Sequence, residues 1–88
     1  MNEKEIREHI LGVLKDKLVL FDISPGEVND GFDLVKSGLL DSMSFVDLVA
    51  GVEDRFGLEI DFEQAADDDT FTTIGGLLRM IRKFGHER

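Results

Sequence analysis

Ile6, Ile10, Val13, Leu14 and Leu18 recur at three- and four-residue steps, with Glu5, Glu8, Lys15 and Asp16 on the other side. That period lays one apolar stripe along a helix and predicts a helix over about residues 3–20. Phe21 to Gly26 ends the pattern, and Pro25-Gly26 marks a turn. A second stripe, Phe45, Leu48, Val49, Val52 and Phe56, predicts a helix over about 42–56, stopped by Gly57. Asp41 or Ser42 is placed to cap its first turn, and Ser44 and Asp47 stand near capping-box spacing. Ile74, Leu77, Leu78 and Ile81 predict a last helix over about 73–83, capped by Thr72 or Thr73. Within it Gly75-Gly76 costs about 1 kcal/mol per glycine relative to alanine, while leaving room for another helix to approach closely. The tail beyond Phe84 is expected to fray.

The connections carry pattern too. Residues 21–41 form a long loop, and loops of that length inside a small domain usually have a task. Asn29-Asp30-Gly31 signals a turn, and a helical turn fits about Asp33 to Lys36. Phe32, Leu34, Val35, Leu39 and Leu40 would pin the loop to the core. Leu58 to Phe62 alternates like a strand but is short and has no evident partner, so it reads as an extended connector. A short helix is expected over about 62–66, ended by Asp67-Asp68-Asp69. The result is a single all-α domain over residues 1–88, a small four-helix bundle of three longer helices and one short one, without a sheet.

Length and charge narrow the function. Eighty-eight residues support one modest core, not a deep catalytic cavity. There are no cysteines, hence no disulfide or thiolate chemistry from the protein itself. No apolar run approaches the roughly 18 residues of a membrane helix. The polar start, Met1-Asn2-Glu3-Lys4-Glu5, does not resemble a signal peptide, so the cytoplasm is the expected compartment and a monomer the expected state. Net charge is −9, and the acids Asp41, Asp47, Glu53, Asp54, Glu59, Asp61, Glu63, Asp67, Asp68 and Asp69 share their stretch with a single base, Arg55. Such a surface repels nucleic acid and steers partners with basic patches.

Catalytic equipment is sparse. His9 lies in the first helix and His86 in the tail, neither near a nucleophile in sequence. No His/Cys cluster has metal-ligand spacing, and Asp61 to Asp69 lacks the glycine and terminal glutamate of a calcium loop. The chain is therefore expected not to be an enzyme. What stands out is Ser42, presented where the Gly38-containing loop passes into an acidic amphipathic helix. Its plainest role would be that of an N-cap. Beside the core stripe, Met43, Val46 and Ala50 form an apolar strip fringed by Asp47, Glu53 and Asp54, a composition suited to a transient partner. Val46 fits a broad buried face equally well.

Leu39-Leu40-Asp41-Ser42-Met43, followed by Val46-Asp47-Leu48-Val49, resembles the attachment motif and second helix of acyl carrier proteins. The similarity continues through Val52-Glu53-Asp54-Arg55-Phe56-Gly57-Leu58-Glu59-Ile60 and Thr70-Phe71-Thr72-Thr73-Ile74. The resemblance implies a four-helix bundle whose serine, here Ser42, receives 4′-phosphopantetheine from coenzyme A through a phosphopantetheinyl transferase. It implies that Asp41 contacts the transferase or its magnesium, and that Met43, Val46, Asp47, Ala50, Glu53 and Asp54 face partner enzymes. An acyl- or aminoacyl-loading ligase or acyltransferase, and downstream biosynthetic enzymes with basic patches, complete the implied partners. Three departures bear on cargo: Met43 stands where leucine is usual, Leu39-Leu40 where fatty-acid carriers often have small residues, and Asp61 where proline is common. Gly38-Leu39-Leu40-Asp41-Ser42 looks more like free-standing carriers of aminoacyl groups, including D-alanyl carriers, or of specialised pathways. An acidic helical interaction module without an arm is the alternative of a different class.

Overall fold

A computed structural model describes residues 3–61 and 70–87. The first helix, α1 (Glu3–Leu20), buries Ile6, Ile10, Leu14 and Leu18, a constant four-residue step that keeps one stripe against the core. Val13, grouped with that stripe by its spacing, lies at its edge and is 55% exposed. A 3-10 turn comes next at Pro25–Glu27. The second helix, α2 (Ser42–Phe56), buries Phe45, Leu48, Val49 and Val52 and stops at Gly57, whose φ of +64° is the left-handed turn that glycine adopts without strain. The last helix, α3 (Ile74–Phe84), is capped by Thr73 and is buried nearly all round, from Ile74 through Leu78 and again at Met80 and Ile81.

α1 and α2 lie side by side and antiparallel. Lys17 and Val13 stand beside Ser44, Asp47 and Leu48, and the His9 ring meets the edge of Phe56 at 5.7 Å. Among the described residues the core contains only apolar side chains. Each fully buried Leu or Ile contributes about 1.5–3 kcal/mol relative to leaving it exposed.

Two expectations are corrected. Leu58–Ile60 (β1) does have a partner, because Gly85–Glu87 (β2) pairs with it antiparallel, Leu58 opposite Glu87 and Ile60 opposite Gly85. Gly85–Glu87 are therefore held in a small two-stranded sheet instead of fraying, and the described residues are mostly, not wholly, helical. The pairing is written in main-chain groups, which a polar Gly-His-Glu segment does not advertise. The second correction concerns Gly75 and Gly76, whose open side admits loops, not a helix. A Cβ on Gly75 would lie 3.0 Å from that of Asp30, and one on Gly76 would overlap the Thr70 carbonyl oxygen. The short helix expected over 62–66 lies outside the described residues.

The long loop is built as its composition suggested. Leu34, Leu39 and Leu40 are buried, and Val28 joins them. Asn29 closes its turn by accepting the Gly31 N–H at 3.0 Å. No described helix is long and apolar enough to cross a membrane.

Candidate functional site

Ser42 is the first residue of α2, and its position is set by the residues around it. The backbone at Asp41 is extended, and its carboxylate accepts the Ser44 N–H at 2.7 Å. Asp41 is therefore the N-cap, and Ser42 is not needed for that role. Ser42 is exposed, and among the described residues no side-chain hydrogen bond engages its hydroxyl. The Ser44 N–H, then the Ser44 hydroxyl, hold the Asp41 carboxyl below its usual pKa, and the Lys17 charge adds to this.

The approach to Ser42 is held from the far end of the chain. Asp33 accepts the Lys36 N–H at 2.8 Å, the Val35 N–H at 3.0 Å and the Thr72 hydroxyl at 2.9 Å. Partial burial works to raise the Asp33 pKa, but the bonds from Lys36, Thr72 and Val35 outweigh it and hold the carboxyl below its usual value. Main-chain bonds from Leu34 to Thr72 and from Ile74 to Phe32 fasten the loop to the start of α3. The Leu40 N–H then bonds the Leu34 carbonyl at 2.9 Å, folding the loop back so that Asp41 comes directly after it. Gly38, at φ +86°, makes that reversal. Asp33 escaped the sequence reading because its decisive partner, Thr72, is distant along the chain; the local signal was an aspartate at the head of an Asp-Leu-Val-Lys turn.

Of the residues assigned to a partner face, Met43 is 76% and Val46 53% exposed, which settles Val46 as a surface residue. Asp47, Ala50 and Asp54 are also exposed, so these five share one side of α2. Glu53 differs. It is half-buried, and its carboxylate accepts the Ile60 N–H at 2.9 Å, tying α2 to β1.

The chemistry open to this arrangement depends on what surrounds the hydroxyl. His9 packs on Phe56, and His86 pairs across the sheet with Glu59, so both histidines belong to the far end of α2. Phe56 and Ser42 are separated by roughly 20 Å of helix at 1.5 Å per residue. Neither imidazole is therefore placed to serve Ser42 as a base. Among the described residues no group of His, Cys, Asp and Glu could hold a metal ion. The first turn of α2 leaves main-chain N–H groups without helical acceptors, and the positive end of the helix favours an anion there. An exposed hydroxyl at that point is suited to bearing a phosphodiester.

A family model described as a phosphopantetheine attachment site matches residues 5–81. No solved structure matches the chain.

Proposed function

The chain belongs to the phosphopantetheine attachment site family, whose members carry 4′-phosphopantetheine covalently, and we propose that it is an acyl carrier protein bearing that group on Ser42. The observation that carries this reading is the division of labour at the start of α2: Asp41 caps the helix and leaves the Ser42 hydroxyl exposed and, among the described residues, unengaged. When bound, the group supplies a terminal thiol on a long flexible arm, on which an acyl group is held as a thioester.

This chain's own residues present and orient. The N–H groups of the first turn and the helix dipole stabilise the phosphate beside Ser42. Asp41 fixes the turn and offers a carboxylate to the transferase or its magnesium. Met43, Val46, Asp47, Ala50 and Asp54 form an apolar strip with an acidic fringe, where apolar contact supplies affinity and charge supplies rate. Glu53 supports that helix from behind through Ile60. The protein itself catalyses nothing; its partners are the phosphopantetheinyl transferase, a loading ligase or acyltransferase, and downstream biosynthetic enzymes.

The run Gly38-Leu39-Leu40-Asp41-Ser42, which looks like that of free-standing aminoacyl carriers, supports a second reading in which the cargo is an aminoacyl or D-alanyl group. Purified adenylating ligases and acyltransferases, each supplied with the loaded protein, separate the two by which substrate reaches the thiol. The carrier function is tested first by incubating the protein with coenzyme A, magnesium and a broad-specificity phosphopantetheinyl transferase. The wild type should gain the mass of one phosphopantetheine, and Ser42→Ala, folded by circular dichroism, should gain none. No gain on folded wild type, with a known carrier modified in parallel, would favour the arm-free acidic module.

A further inference from the structure

The stretch that leads into Ser42 is a closed unit in its hydrogen bonds. Among the described residues, the bonds of residues 35–40 all return to residues 33–37. The Ser37 N–H meets the Asp33 carbonyl at 3.2 Å, the Gly38 N–H the Val35 carbonyl at 3.0 Å, and the Leu40 N–H the Leu34 carbonyl at 2.9 Å. Asp41 and Ser42 follow directly. The unit is therefore tied to the rest of the molecule, as far as hydrogen bonds go, through residues 32–34, and the partner there is the lead-in to α3.

Two of these ties are main chain, from the Leu34 N–H to Thr72 and from the Ile74 N–H to Phe32, and are open to many sequences. The third depends on two side chains. Asp33 Oδ2 accepts the Thr72 hydroxyl at 2.9 Å, while Oδ1 accepts the N–H groups of Val35 at 3.0 Å and Lys36 at 2.8 Å. One half-buried carboxylate thus joins the α3 lead-in to the first turn of the unit. Leu39 and Leu40 hold the unit down as well, but apolar burial is non-directional, whereas hydrogen bonds fix orientation. Orientation is what loading needs. In the transfer the Ser42 oxygen bonds the phosphorus of the pantetheine phosphate of coenzyme A, the pyrophosphate P–O bond breaks to release the adenosine bisphosphate, and the serine proton passes to a base or to solvent. A misplacement of about 1 Å at such a centre costs about 100-fold in rate. Resting on the carrier reading, we infer that Asp33 and Thr72 are positioning residues for this transfer, orienting the Ser42 hydroxyl through the loop. Docking belongs to the α2 face, so the loss of their bond falls on kcat and spares KM.

The test is the rate of phosphopantetheine transfer at varied carrier concentration for wild type, Thr72→Val, Thr72→Ser, Asp33→Ala and Thr73→Ala, at a temperature where circular dichroism shows each one folded. Thr72→Val keeps the side chain's shape and removes the hydroxyl, whereas Thr72→Ser keeps the hydroxyl. Thr73→Ala removes the α3 cap at the next residue without touching the Asp33–Thr72 bond, and so controls for lost stability. The expected result is a kcat lowered about tenfold by Thr72→Val and by Asp33→Ala with KM within about twofold, and Thr72→Ser and Thr73→Ala close to wild type. If Thr72→Val does not fold, Asp33→Ala carries the same comparison. Amide NMR spectra of the unloaded protein give a reading that needs no transferase: Thr72→Val should move the signals of residues 37–42. Wild-type kcat in Thr72→Val, a loss in KM alone, equal impairment in Thr73→Ala, or amide shifts confined to the neighbours of residues 33 and 72 overturns the proposal while leaving the carrier reading intact. Failure of the wild type itself to be loaded removes the carrier reading and this proposal together.

Discussion

The two long helices after the loop begin with the same device and put it to opposite uses. At the start of α2, the Asp41 carboxylate accepts the Ser44 N–H at 2.7 Å; at the start of α3, the Thr73 hydroxyl accepts the Gly76 N–H at 2.9 Å. Beyond its cap, α2 exposes Ser42 and Met43, whereas α3 buries Ile74, Gly75 and Gly76. Intrinsic propensity would rank the glycine pair as the poorer helix start. Tertiary packing overrides that ranking, because Asp30 and Thr70 lie against the very positions where a side chain would stand. One helix start anchors the fold and the other presents a hydroxyl, and the cap by itself does not decide which. The residues just beyond the cap decide it: small and apolar ones against the loops in α3, a serine and a methionine facing solvent in α2.

Substitutions can break this contrast. The largest stability effect is expected from Gly76→Ala, which drives a methyl group into the Thr70 carbonyl and should cost about 2–4 kcal/mol in urea denaturation. Removing either cap should cost less: Thr73→Ala about 1 kcal/mol, and Asp41→Ala a measurable drop in the same denaturation. The two variants should nevertheless part in a loading assay. Asp41→Ala loosens the turn that presents Ser42 and should be loaded more slowly, while Thr73→Ala should be loaded as wild type at a temperature where both are folded.

Acid titration sharpens the contrast further. The pKa values of Asp33 and Asp41 are lowered in the folded state, so their stabilising contribution is present above the ordinary carboxylate value of about 4 and is lost as pH falls through the folded values. Asp33→Asn should lower stability near neutral pH and flatten the fall below about pH 4, read as denaturation midpoints against pH. The smallest effect belongs to the exposed strip. Met43→Ala should change stability by less than about 0.5 kcal/mol, although Met43 is a large apolar residue. A larger loss would place its side chain in the core.

The helices were legible because their stripes repeat locally: the residues of 3–20 and 42–56 carry both the apolar period and the stop signals. Gly57 could be assigned from type and place alone, and the cap of the last helix could be narrowed to Thr72 or Thr73. What the sequence did not disclose depends on distant partners. The strand character of Leu58–Ile60 was visible, but its partner is a main-chain ladder with a polar segment that begins directly where α3 ends. Glu53 sits at a spacing that fits the acidic fringe, and only the fold of β1 against α2 turns its carboxylate to the Ile60 N–H. Val13 satisfies the helical period, yet it stands where the groove between two antiparallel helices opens. Ser42 itself could be singled out from its neighbours in sequence; that Asp41 caps α2, and so leaves the hydroxyl exposed, depends on the extended backbone at Asp41 and its bond from the Ser44 N–H.

The decisive measurement is the residue that bears the added group. After loading, trypsin releases Ser37–Arg55 as one peptide containing Ser37, Ser42 and Ser44. Tandem mass spectrometry should place the phosphopantetheinyl mass on Ser42 alone, the hydroxyl left free by the Asp41 cap. Modification at Ser44 or Ser37, with Ser42 bare, would contradict it and assign the presented hydroxyl to another residue.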